Sequence, residues 1–122
     1  MNKLELAWET YEFYTNEILQ EEENHVNNIQ TLKNFIDATA FPTRQQKSRF
    51  KNKCLKTCRS LNQLYNKQVE SISDLIEIYG NCVDIPLRRE IDIEHLLTLK
   101  NVTVTLMHQI DQYQSQIEEM LS

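Results

Sequence analysis

The chain has 122 residues, 40% hydrophobic and 25% charged, with a formal net charge of −5, which is one domain's worth of sequence with enough apolar residues for a packed core. The acidic balance argues against general nucleic-acid binding by the whole domain, and no apolar run reaches the roughly 18 residues that would span a membrane. One glycine, Gly80, and two prolines, Pro42 and Pro86, leave room for few turns, because tight turns need a positive or a preset φ. Long helices and an all-α fold follow.

From Leu4 to Thr39 the inward candidates are Leu4, Trp8, Tyr11, Thr15, Ile18, Glu22, His25, Ile29, Leu32, Ile36 and Thr39. Steps of four and three alternate without a break, which is the period of a helix packed along its whole length. Tyr14, Leu19, Val26 and Phe35 widen the stripe enough to meet two neighbours. This spacing predicts a first helix over about 3–39, ending before Pro42, since proline pushes the residue before it out of the α region.

Thr43-Arg44-Gln45-Gln46 fits a capping box, in which the threonine hydroxyl and the glutamine amide each satisfy a backbone N–H of the other residue. A second helix is expected over about 44–79, its seam running Phe50, Cys54, Cys58, Leu61, Tyr65, Gln68, Ile72, Leu75 and Tyr79. Gly80 stands where a left-handed cap ends a helix. Residues 81–91 read as irregular. Pro86 is tolerated at a first helical position, but Asp92 is the stronger N-cap candidate and sets the third helix at about 92–121. Its seam is Leu96, Leu99, Thr103, Leu106, Ile110, Tyr113, Ile117 and Met120. The β-branched run within Asn101–Ile110 would also suit a strand, and the seam on both sides of it favours helix.

Three helices with short connections pack economically as one elongated, antiparallel up-down-up bundle across residues 1–122. That architecture is similar to a spectrin-type repeat and to the coiled-coil-like bundles of tethering and scaffolding subunits. Such a likeness implies shape and not function.

Two groups in the pattern bear on chemistry. Glu22 and His25 share a helical face, as in half the ligand set of a di-iron bundle, and Asp92 and His95 have a related spacing. The second helix supplies no facing carboxylate, because no Asp or Glu occurs between Asp37 and Glu70, so no metal site is expected. A hairpin turning near residue 41 instead sets Glu21–Glu23 roughly opposite Lys56, Cys58 and Arg59, and Glu22, His25 and Arg59 are expected to form a polar seam that sets register. Cys54, Cys58 and Cys82 read as reduced thiols, the first two as apolar filler. The acid Glu5 in Met1-Asn2-Lys3-Leu4-Glu5 interrupts any signal-peptide core, so an intracellular protein of cytoplasm or nucleus is expected. No nucleophile-elbow, phosphate-loop or dinucleotide motif occurs, so neither an enzyme nor a cofactor is expected.

The outward features suit protein partners, helical ones in particular. Trp8, Tyr11, Phe13 and Tyr14 exceed what one stripe buries, and aromatics anchor interfaces. Residues 38–69 hold eight bases and no acid, and of these Arg44, Lys47, Arg49, Lys51 and Lys53 gather near the first hairpin tip. Asn101–Ile110 holds no acid, lysine or arginine and offers Val102, Val104 and Met107 to another helix. Either apolar surface also admits pairing of two copies. The segment Glu17–Ile29 resembles the opening of Dbl-homology exchange-factor domains, which implies a small-GTPase contact at Glu22. Glu21 and His25 depart from that family's threonine and tyrosine and its later segments are absent, so the chain is not assigned to it. The sequence thus predicts a non-catalytic interaction module, a scaffold or adaptor subunit of a larger assembly. The alternative is a helical regulator acting on an enzyme or small GTPase through its acidic face or basic tip.

Overall fold

A computed structural model describes residues 2–37, 43–81 and 86–121, with side chains for all of these except 36–37 and 86–91. Three helices follow one another: α1 (Lys3–Asp37), α2 (Arg44–Gly80) and α3 (Pro86–Met120). At about 1.5 Å per residue each is roughly 50–55 Å long. α2 runs antiparallel to both others, as the side-chain pairs Asn28–Thr57 and Trp8–Tyr79 and, across the other interface, the clustering of Leu75 with Leu96 and of Cys54 with Ile117 require. The chain is an antiparallel three-helix bundle.

Local signals explain most of the boundaries. At α1 the Asn2 side chain accepts from Glu5 N at 2.8 Å, satisfying an amide that the first turn cannot. The capping box opens α2 as expected: Gln46 N donates to Thr43 Oγ1 at 3.3 Å, and Thr43 N donates to Gln46 Oε1 at 3.0 Å. The end of α2 differs from expectation. Gly80 is its last helical residue, and Asn81 caps it in the right-handed region at φ −95°, so no left-handed glycine is used. α3 starts at Pro86, not at Asp92. The missing proline N–H is one that a first turn leaves unpaired anyway, and Leu-Arg-Arg-Glu-Ile behind it propagates a helix well. The β-branched run of α3 is accommodated because its hydroxyls bond back one turn, Thr103 to Leu99 O at 2.8 Å and Thr105 to Asn101 O at 3.0 Å. The residue-39 end of the first helix, Pro42 and Cys82 lie outside the described residues.

The core runs the length of the rod as three clusters. Ile72, Leu75 and Leu96 close one end, with Leu4, Trp8 and Tyr11 against them. Ile18, Cys58, Leu61, Tyr65 and Ile110 fill the middle. Leu32, Cys54, Leu55, Ile117 and Leu121 fill the other end. The three helices are not equivalent, because α2 packs closely on both neighbours while, among the described residues, no Cα of α1 comes within 8 Å of one in α3. α1 and α3 meet through side chains, such as His25 edge-on to Tyr113 with ring centroids 4.7 Å apart. The bundle is closed along two seams and shallowly open along the third.

Candidate interaction surfaces

Several polar residues of the inner seam are bonded inside the bundle. Gln68 donates its amide to Thr15 Oγ1 at 2.9 Å and to Tyr11 O at 3.3 Å. Tyr65 OH donates to Glu22 Oε1 at 2.9 Å, and Asn28 Nδ2 donates to Thr57 Oγ1 at 3.2 Å. These pairs set Glu22 beside Tyr65, not beside Arg59, which is exposed. The hairpin is longer by about three residues than a turn at 41 implies, almost a full turn of helix, so Lys56 and Arg59 rotate away from Glu21–Glu23. The expected acid–base seam is therefore replaced by neutral donors Tyr65 and Gln68 on α2 meeting Glu22 and Thr15 on α1, and by Asn28 of α1 donating to Thr57 of α2.

Around this seam burial disfavours the charged forms of His25, Cys54, Cys58, Tyr65 and Tyr113. Burial lowers His25 from its ordinary 6.5 against the opposing pull of Glu22. Burial, then Cys54, pushes the Cys58 thiol up to about 11, and burial raises Cys54 as well. Tyr113 rises to about 12, by burial and then by Cys54 and Cys58, and Tyr65 is raised by burial and its bond to Glu22. His25 Nδ1 and Tyr113 OH are enclosed without a hydrogen-bond partner among the described residues. Neutral thiols are poor nucleophiles and poor metal ligands. Among the described residues no group of three or more His, Cys, Asp or Glu is placed to hold a metal ion, and none of the helices is long and apolar enough to cross a membrane.

The contact residues predicted from the sequence divide into packed and exposed ones. Trp8 is half-buried and donates its indole N–H to Tyr79 OH at 3.2 Å. Tyr11 packs with it against the Ile72 cluster, and Met107 packs on the middle cluster. These three are committed to the fold and are not free anchors. Val104 is half-buried. Phe13 is 57% exposed, as is Leu6 one heptad before it, with Tyr14 edge-on to Phe13 at 5.3 Å. Leu6 also lines a groove of about 500 Å³ between the start of α1 and the end of α2, against Ala7, Ser71 and Ile78, with Asp74 and Glu77 at its rim. Of the basic group, Arg44, Arg49 and Lys53 are exposed while Lys47 and Lys51 are half-buried. Arg49, Lys53, Lys56 and Arg59 recur at steps of four and three on the exposed back of α2, so the basic feature is a strip along the helix and not only a tip.

A second apolar surface contains Val102, which the sequence offers to a partner helix, and three residues that the sequence does not mark as outward. Leu19 and Val26 are 59% and 60% exposed, and Val102 and Met120 are 51% and 47% exposed. Leu19 and Val26 stand four residues beyond Thr15 and Glu22, one step further round α1 on the side turned to α3. Met120 stands one heptad beyond Tyr113, the residue that meets α1, and Val102 lies one turn before Leu106 on the same edge of α3. Ile29 and Met120, placed inward by their spacing, are exposed, because the α1–α3 seam does not close over them. Leu121 takes the buried place at that end instead.

Compared with known proteins, the chain matches no family model, no curated protein and no solved structure.

Proposed function

We propose that this protein is a non-catalytic interaction module, a helical scaffold or adaptor that presents apolar strips along a rigid rod to other proteins. The observation that carries the reading is the Leu6–Phe13 edge of α1. Two large apolar side chains one heptad apart lie outside both intramolecular seams, beside the groove lined by Ala7 and Ile78. Exposed apolar side chains in register on one helix, with a groove alongside, suit a partner helix seated by its own apolar stripe. The inner seam supports the same reading, because burial disfavours the thiolates of Cys54 and Cys58 and Tyr65 engages the Glu22 carboxylate.

Leu6→Glu with Phe13→Glu tests it. The variant is expected to keep its helical circular dichroism and to lose proteins that co-purify with the wild type. Unchanged co-purification refutes this edge as the docking site. A second reading, contact with an acidic region of a partner, draws on the basic strip of α2, and Lys53→Glu with Lys56→Glu tests it in the same purification. Glu22 does not support a direct small-GTPase contact, since its carboxylate is engaged by Tyr65.

A further inference from the structure

We infer that the open α1–α3 face pairs with a second copy of this chain, antiparallel about a two-fold axis. The inference stands apart from the Leu6–Phe13 reading, which uses a different side of α1. Its basis is a coincidence of level. The exposed pair Leu19 and Val26 is centred between residues 22 and 23 of α1, and the exposed pair Val102 and Met120 is centred at residue 111 of α3. The packing places these two midpoints side by side: Ile18 shares a cluster with Ile110, His25 meets Tyr113, and Leu32 packs with Ile117 and Leu121. A two-fold axis across the rod at that level lays Leu19 against Val26 of the other copy and Val102 against its Met120. Every exposed apolar residue of these two pairs then finds an apolar counterpart.

The charges follow the same symmetry. Seven residues outward from the apolar pair, on the same line of α1, stand Glu12 on one side and Lys33 on the other, both exposed. The axis that joins Leu19 to Val26 also joins Glu12 to Lys33 of the second copy, twice per dimer. A two-fold axis along the rod would instead lay α1 on α3 of the second copy, so that Glu12 and Lys33 would not meet. Charge complementarity therefore selects both the occupant and its direction. One group opposes the pairing. Glu23, exposed and close to the axis, approaches its own copy, which makes the dimer weak and gives it a signature. The isologous geometry closes at two copies.

Sedimentation equilibrium from about 1 to 200 µM tests the proposal. The expected species is a reversible dimer, twice the 14.5 kDa chain mass. Leu19→Glu with Val26→Glu is expected to give a monomer of unchanged helicity. Glu12→Lys or Lys33→Glu alone turns two attractive pairs repulsive and is expected to weaken dimerisation about tenfold, and the two together restore it. Glu23→Gln is expected to tighten the dimer a few-fold. A chain that stays monomeric at 200 µM overturns the proposal. So does a dimer that survives Leu19→Glu with Val26→Glu, or single reversals that the double reversal does not rescue. Leu6→Glu with Phe13→Glu should leave the dimer intact, so loss of one surface is read independently of the other.

Discussion

Leu61 sits in the middle cluster, 0% exposed, where α2 meets Ile18 of α1 and Ile110 of α3. Leu61→Ala removes roughly three carbons from that position, at about 0.8 kcal/mol each for lost transfer. A cavity on the order of 50 Å³, at about 24 cal/mol per Å³, adds about 1 kcal/mol, for a total of about 3.5 kcal/mol. With an unfolding entropy of about 2.1 cal/mol/K for each of the 122 residues, thermal unfolding should shift down by about 14 °C. Leu19→Ala deletes the same atoms from an exposed site on the next helix. At low micromolar concentration it should move the midpoint by no more than about 2 °C. Melting curves by circular dichroism at 222 nm read both variants. Equal shifts for the two would refute the reasoning, because they would mean that the α1–α3 seam closes over Leu19 or that α2 is not the central helix.

Three other outcomes follow from the inner seam and the caps. Burial holds the folded His25 below 6.5, so the stability it contributes is complete above pH 6.5 and is lost as pH falls through the lower folded value; urea midpoints at pH 7.5 and 5.5 should differ less for His25→Gln than for the wild type. Cys54 and Cys58 are buried and raised, so in a Cys82→Ser background iodoacetamide at pH 8 should label neither thiol until urea unfolds the chain. Thr43→Ala removes one half of the capping box and should cost about 1 kcal/mol in urea unfolding, whereas Thr43→Ser should cost little.

The features legible in the sequence are those set locally or by period. The capping box at Thr43 was readable because its two bonds join residues three apart, and the seams were readable because burial on one face repeats with the helix. Register was not. The period of α1 and α2 says that they pack but not how much chain the connection between them consumes, so a turn near residue 41 sets Glu21–Glu23 opposite Lys56, Cys58 and Arg59, whereas Glu22 meets Tyr65. Treating Tyr65 and Gln68 only as seam fillers also hid their hydrogen-bonding ends. Pro86 reads equally as a breaker or as a first helical residue, and Asp92 outcompeted it on capping propensity alone. The open face was hidden for a geometric reason. A stripe wide enough for two neighbours looks the same whether the second neighbour closes on it or stands off, and only the separation of α1 from α3 exposes Leu19, Val26, Val102 and Met120.

Methyl-resolved NMR with a soluble paramagnetic probe tests the central claim most directly, because it reads each apolar side chain's access to solvent. In dilute solution the methyls of Leu19, Val26, Val102 and Met120 should broaden strongly while those of Leu61, Ile72, Leu75 and Ile117 stay sharp. At high concentration the first group should become protected together. Protection of Leu19 and Val26 at every concentration would show α1 and α3 closed on each other and would contradict the account.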